Sequence, residues 1–296
     1  MPELPEVETM VRGLRPVLEG QTIRSLAVRD PFLLQGCSAE EIERRVAGAP
    51  VQGVGRRGKW IVLTLGDSVG MIVIQPRMTG GFWLVPPDRP EHVRLILQVG
   101  QPERTIWYCD TRRLGKVAWY PEPEAAEAAF RRSHGPDALE IDRAELAERL
   151  RRTGRAIKPT LMDQKVLAGL GNIYTDEVLF RAGLHPERPA SDLSDEEIGR
   201  LHEAIGSVLA EAITAEGSSF DRGYRTVLGL EGGFLTQNAV HRRAGQPCPR
   251  CGKPIVKTKI AGLVGRPTYL CPTCQPAPGS RPPRGPSGRR GRDRVS

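Results

Sequence analysis

Four of the six cysteines stand as Cys248-Pro-Arg-Cys251 and Cys271-Pro-Thr-Cys274, with 19 residues between the pairs. This is the two-pair spacing of a tetrahedral zinc site. Four thiolates close the coordination shell and leave no position for water, so the spacing predicts one structural Zn2+ that folds a hairpin and performs no chemistry. A disulfide reading needs an oxidising compartment, and the first residues, Met1-Pro2-Glu3-Leu4-Pro5-Glu6, carry neither a basic region nor an apolar stretch for export. Cys37 and Cys109 stand apart and read as ordinary buried thiols. A second candidate reagent is the amino terminus. Initiator Met is commonly removed before a small residue, and here that would leave Pro2 as a free secondary amine. An α-amino group titrates near ~8, so about a tenth is neutral at pH 7, against roughly one in 2,500 for a lysine side chain. A neutral amine attacks carbonyl-like carbon to form a Schiff base, and Glu3 adjoins it as a proton donor or acceptor. The bland alternative, a solvated terminus with no role, stays open on these residues alone.

Charge points to the partner. Net charge is +8, yet no Asp or Glu occurs from Gly232 to Arg292, where twelve Lys or Arg fall. A basic carboxyl end on a mildly acidic body suggests a polyanion. Arg250, Lys253, Lys257, Lys259 and Arg266 sit on the cysteine module with no carboxylate among them, which suits phosphate contact. The Pro-, Gly- and Ser-rich residues 276–296 read as a disordered basic tail.

Several elements must position these groups. Val7, Met10, Val11, Leu14 and Leu18 recur at helical spacing, with Glu6 and Glu8 in the first turn where they suit the helix dipole. From about residue 22 to 120 short β-branched and apolar runs alternate with Gly, Pro and Asp: Thr22–Val28, Trp60–Leu65, Val69–Ile74, Gly81–Val85, Val93–Val99, Thr105–Asp110 and Lys116–Tyr120. A short helix over Ala39–Val46 interrupts them, and the whole predicts a mostly antiparallel sandwich. Helical patterns dominate from Lys158 to about Gly217, with Ser194-Asp195-Glu196-Glu197 as a capped start. No apolar run approaches the ~20 residues of a membrane span, which predicts a soluble, cytoplasmic protein.

Read in order, the motifs resemble the formamidopyrimidine-DNA glycosylases. They are Pro2-Glu3-Leu4-Pro5-Glu6-Val7-Glu8-Thr9, Arg57-Gly58-Lys59, Met78-Thr79-Gly80 and Asp110-Thr-Arg112-Arg113-Leu114-Gly115. Lys158-Pro-Thr-Leu-Met-Asp-Gln-Lys165, Gly169-Leu-Gly-Asn172-Ile-Tyr174 and the four cysteines complete the set. The resemblance covers residues 2–275 and implies an α+β multidomain protein. Its parts are a catalytic β-sandwich with an N-terminal helix (1–133), a helix-two-turns-helix domain (134–239) holding a lesion-capping loop (218–234), a zinc-finger β-hairpin (240–275) and the tail (276–296). It further implies a monomeric, nucleoid-associated enzyme that removes oxidised purines from duplex DNA and cleaves abasic sites by β,δ-elimination. On that pattern Pro2 attacks C1′, Glu3 moves protons at the sugar, Glu6 supports the site, and Lys59 is an essential lysine near the lesion. Met78, Arg112 and Leu114 would fill the hole left by the extruded base, and Lys158, Asn172 and Arg266 would bind phosphate. Cys248, Cys251, Cys271 and Cys274 would hold the zinc. The chain departs from the pattern at Leu114, where the family has Phe, at Gln75-Pro76-Arg77 and in the loop 220–233. The rival expectations are an endonuclease VIII-type enzyme for oxidised pyrimidines and a non-catalytic, zinc-dependent binder of damaged DNA.

Overall fold

The computed structural model describes residues 2–66, 68–219 and 224–279. Met1, part of the expected lesion loop (220–223) and the tail from residue 280 lie outside the described residues. The chain opens with helix α1, Leu4–Leu18. Strands β1 (Ile23–Val28) and β2 (Leu34–Gln35) and helix α2 (Ala39–Val46) follow. Next come β3 (Val51–Arg57), β4 (Trp60–Leu65), β5 (Gly70–Gln75), β6 (Gly80–Trp83), β7 (Val93–Val99), β8 (Arg104–Asp110) and β9 (Lys116–Tyr120). They form a four-stranded sheet ordered β1-β7-β8-β6 and a five-stranded sheet ordered β2-β9-β5-β4-β3. All ladders are antiparallel except β2 with β9, where Leu34 lies beside Val117.

Alternate residues of the strands, such as Ile61, Leu63, Ile72 and Ile74, face a core shared with Val7, Met10, Val11, Leu14 and Leu18 of α1. The same two strands turn Val62 and Val73 to the other face, where Phe130 of helix α3 (Pro123–Ser133) covers them. Burial on both faces explains why β4 opens with four successive apolar residues, Trp60 to Leu63. Two strands escape the sequence reading. β3 is Val-Gln-Gly-Val-Gly-Arg-Arg, and its two buried valines, Val51 and Val54, stand three residues apart across a register irregularity, so no alternation marks it. β2 has only two residues and is held by β9 rather than by its own pattern.

Helices α4 (Arg143–Arg151), α5 (Ile157–Met162), α6 (Asn172–Ala182) and α7 (Asp195–Thr214) build a second core. α7 begins with the expected cap: Ser194 Oγ accepts the Glu197 N–H (3.2 Å) and Glu197 Oε2 accepts the Ser194 N–H (2.9 Å). Leu4 belongs to this helical core, whereas the remaining apolar face of α1 belongs to the sandwich. The first turn of α1 therefore lies at the seam of the two domains, and it carries Pro2, Glu3 and Glu6 there. The cysteine module adds strands β10 (Val256–Thr258) and β11 (Thr268–Leu270), paired antiparallel. Its small core of Val240, Ile255 and Tyr269 packs on Phe180 of α6. Among the described residues no helix is long and apolar enough to cross a membrane.

Candidate active site

The seam is organised around one carboxylate. Glu3 Oε2 accepts the Gly171 N–H at 2.7 Å and the Tyr174 N–H at 3.4 Å, and Oε1 accepts the Ile173 N–H at 2.9 Å. Gly171 is the N-cap of α6, so a carboxylate occupies the unpaired amides and positive dipole end of that helix. The N–H groups of the glycine-rich junction are taken by an anion of the chain's own, the Glu3 carboxylate. Gly171 is required by contact rather than by backbone angle: a Cβ there would lie 2.3 Å from Glu3 Cδ. Leu4 N–H donates to Gly169 O at 3.1 Å and locks the chain direction beside buried Pro2.

Glu6 sits one turn on. Its Oε2 accepts the Glu3 N–H (2.8 Å), and its Oε1 accepts the Ser218 N–H (2.7 Å) and a short bond from the Tyr174 hydroxyl. Burial pushes the Glu6 carboxyl above its ordinary value, and the negative charge of Glu3 adds to the rise, against the lowering effect of the Tyr174 bond. The folded state therefore holds this proton more tightly than the unfolded chain. Stability is lost as pH rises from the ordinary value near 4.5 through the raised one, the reverse of the usual carboxylate case. Glu6→Gln removes that titration. Thermal melts should show wild type losing stability relative to Glu6→Gln as pH climbs from 4.5, and a pH-independent difference would refute the assignment.

Lys59 closes the site from the sandwich side. The β3–β4 turn presents it, and its Nζ, nearly buried, donates to Leu170 O at 2.7 Å. Burial pulls this ammonium below its ordinary value, opposed by the nearby negative Glu3, while Arg266 deepens the fall. The turn is held by Asp137, whose Oδ2 accepts the Gly58 N–H (2.8 Å) and Arg56 Nη1 (2.5 Å). Arg56 Nε also reaches Glu8 of α1 at 3.1 Å.

The expected phosphate ligands divide. Arg266 is exposed on the zinc hairpin. Asn172 donates through Nδ2 to Pro267 O at 3.0 Å, tying α6 to that hairpin, and its buried Oδ1 has no partner. Lys158 is fully buried, with Nζ on Asp176 Oδ1 (2.7 Å), Thr268 Oγ1 (2.9 Å) and Pro267 O (3.2 Å). An ammonium has three donors, and all three are engaged. Met78, half-buried, and exposed Arg112 and Leu114 lie on adjoining loops of the sandwich. Thr79 Oγ1 joins them, accepting the Arg112 N–H at 3.0 Å and donating to buried Asp110 at 2.5 Å.

Sequence reasoning missed Tyr174 as a Glu6 partner, Asp137 as the anchor of the Lys59 turn, and Glu177. The Glu177 carboxylate is buried in α6 and accepts the N–H groups of Ala239 (2.7 Å), Val240 (3.0 Å) and His241 (2.7 Å). Only a carboxylate on an otherwise apolar helix face could have signalled it.

The four cysteine sulfurs lie within 4.8 Å of one another, with Cys251–Cys271 at 3.4 Å and Cys248–Cys274 at 3.8 Å. A tetrahedron with Zn–S bonds of about 2.3 Å has S···S edges of about 3.8 Å, so the set fits zinc. Sandwich, helical unit and thiolate hairpin, with Pro2-Glu3 at the seam of the first two, define a three-part architectural class.

Comparison with known proteins gives the class its family. Residues 1–117 match the formamidopyrimidine-DNA glycosylase N-terminal domain, residues 134–222 its H2TH domain, and residues 245–277 the zinc finger found in FPG and IleRS. The formamidopyrimidine-DNA glycosylase of Thermus thermophilus is 41% identical over 278 residues, 93% of this chain and 98% of the relative. That of Bacillus subtilis is 40% identical over 280 residues, covering 93% and 99%. The crystal structure of the Thermus thermophilus protein superposes with a TM-score of 0.81 at 40% identity, covering 93% of this chain and 98% of that one. A Lactococcus lactis Fpg in complex with abasic-site DNA gives 0.83 at 32% identity, covering 93% and 100%. The chain belongs to the formamidopyrimidine-DNA glycosylase family, and its four clustered cysteines are a zinc-finger site for one metal ion.

Proposed function

We propose that the protein is a monomeric, cytoplasmic DNA glycosylase and AP lyase that excises oxidised purines, 8-oxoguanine and formamidopyrimidines, from duplex DNA. The observation that carries this reading is the Glu3 carboxylate, fixed by three backbone N–H groups at the N-terminus of α6 beside the residue that becomes the amine, with Lys59 Nζ on the adjoining Leu170 carbonyl. Once Met1 is removed, the neutral Pro2 nitrogen attacks C1′ of the damaged nucleotide. The glycosidic bond breaks, the base leaves with a proton, and the sugar opens to an iminium on Pro2. Glu3 moves the proton at the sugar, and its fixed seat keeps it within reach of that proton. β- and then δ-elimination release the two phosphates, and water hydrolyses the remaining adduct to restore the amine.

Attack at C1′ requires the nucleotide outside the stack, which costs a few kcal/mol. Met78, Arg112 and Leu114 lie on exposed loops suited to entering the gap, Met78 as an adaptable apolar chain. Lys158 acts here as a positioning residue: with Asn172 it holds the Pro267 carbonyl and thereby sets where Arg266 meets phosphate. Zinc, when bound, supplies no chemistry to the reaction and stabilises the hairpin.

The test is borohydride trapping on an 8-oxoguanine:cytosine duplex, with the adduct located by mass spectrometry. A reduced adduct on Pro2 is expected, with a trapping rate that rises with pH toward the ~8 of an α-amine. No adduct from zinc-loaded protein shown to lack Met1 would overturn the mechanism. A series of oxidised purine and pyrimidine duplexes then separates this specificity from the endonuclease VIII type.

A further inference from the structure

Beside the 111–115 loop the sandwich exposes an aromatic ring whose face is met by an arginine of that loop. Phe32 is 73% exposed, whereas its neighbour Leu33 is fully buried. The backbone forces this display. Pro31 starts a single 3-10 turn, Asp30 Oδ1 accepts the Phe32 N–H at 3.2 Å, and Leu34 enters the ladder with β9. With both ends pinned and Leu33 driven inward, Phe32 has only the outward direction.

The same Asp30 reaches across to the loop that carries Arg112 and Leu114. Arg113 Nε and Nη2 donate to its two oxygens at 2.6 and 2.9 Å, and the guanidinium carbon lies 5.4 Å from the centre of the Phe32 ring. Arg113 holds this position with φ at +54°, a left-handed backbone that a side chain of this size rarely adopts. Strain of this kind persists where the surroundings impose it and concentrates at binding and catalytic loops. The surroundings are Asp30 on one side and buried Asp110 on the other, whose Oδ2 accepts the Gly115 N–H at 2.7 Å. One exposed aromatic residue is ordinary by itself. An aromatic ring placed under a strained arginine that makes two bonds to Asp30, in a loop whose Gly115 is held by Asp110 and next to exposed Arg112 and Leu114, is a built surface.

We propose that Phe32 and Arg113 form a second contact with duplex DNA, flanking the loop that enters the helix. The Phe32 ring packs against a base or sugar beside the lesion site. Arg113, already oriented by Asp30, faces the adjacent phosphate. Cation and aromatic face together fit a polyanion with stacked bases better than an acidic peptide, because each half of the pair finds its own partner there. This inference rests on the DNA-repair reading above and extends its footprint. Phe32 touches no reacting atom, so it acts on binding and not on the chemical step.

The experiment compares wild type, Phe32→Ala and Phe32→Trp on an abasic-site analogue duplex, by anisotropy of the labelled DNA and by tryptophan emission. Phe32→Ala should bind about fivefold more weakly, the low end for loss of one aromatic stack, with single-turnover cleavage at saturating DNA unchanged. Phe32→Trp should keep wild-type affinity, and its additional emission should be quenched as duplex is added. Wild-type affinity in Phe32→Ala overturns the proposal and assigns the ring to another partner. So does additional emission in Phe32→Trp that stays indifferent to DNA while anisotropy reports binding. Wild-type protein that neither binds nor cleaves the duplex overturns the functional reading itself, so the two failures are distinguishable.

Discussion

Gly171→Ala should silence strand cleavage while leaving the protein folded. A Cβ at this position lies 2.3 Å from Glu3 Cδ and 2.4 Å from Oε1, so the carboxylate has to move by more than half an ångström. It has nowhere equivalent to go, because three N–H groups of α6 fix its present position. The backbone itself tolerates alanine, since Gly171 has the extended angles φ −131° and ψ −152°. Displacing a proton-transfer group by this amount costs about 10²- to 10⁴-fold in rate. Single-turnover cleavage of an 8-oxoguanine duplex should therefore collapse to the level of Glu3→Gln. The far-ultraviolet spectrum should stay native, and affinity for an abasic-site analogue should be largely kept, because Phe32, Arg112 and Arg266 lie on other elements. If Gly171→Ala cleaves like wild type, the seat of Glu3 is not what the reaction uses.

The same contact shows what was legible in the sequence. Pro2, Glu3 and the glycine-rich motif before Asn172 are each visible, and the resemblance assigns Asn172 to a phosphate, whereas the N–H groups beside it hold an anion of the chain's own. What the sequence cannot state is that the anion lies 168 residues away in the same chain. Pairing of two such segments follows from α1 bridging two cores, with Leu4 in one and Val7 in the other. Helical periodicity marks all these positions alike as apolar and does not say which core each joins.

Lys158 gives the converse lesson. A lysine in a motif with many polar neighbours reads as a surface cation, yet Asp176, Thr268 and Pro267 draw it fully inside. Its burial depends on a hairpin more than a hundred residues later, and no local pattern records that dependence. The cysteines were readable for the opposite reason. Metal coordination imposes a local spacing within each pair, and the distance between pairs is that of one hairpin.

That hairpin gives the second large effect. Stripping zinc with a chelator, or replacing Cys251 by Ser, should unfold residues from about Gly245 to Gln275 and weaken DNA binding by about a hundredfold or more, in line with the apparent 10–16 kcal/mol that structural zinc contributes in such modules. The module has little else to hold it: β10 and β11 have three residues each, and the apolar core is a handful of side chains on Phe180. Once it opens, Asn172 and Lys158 both lose the Pro267 carbonyl, and Arg266 loses its place opposite the sandwich. The helical core is separate, so helicity should survive and loss of binding should not reflect global unfolding. Circular dichroism alongside titration of an abasic-site duplex, with zinc release followed by a colorimetric chelator, reads all three. Full affinity in demonstrably zinc-free protein would mean that sandwich contacts carry DNA binding alone and that the Lys158 and Asn172 ties to the hairpin are structural only. Restored binding on adding zinc back would place the effect in the folding of the hairpin, since the closed four-thiolate shell leaves the metal no other part to play.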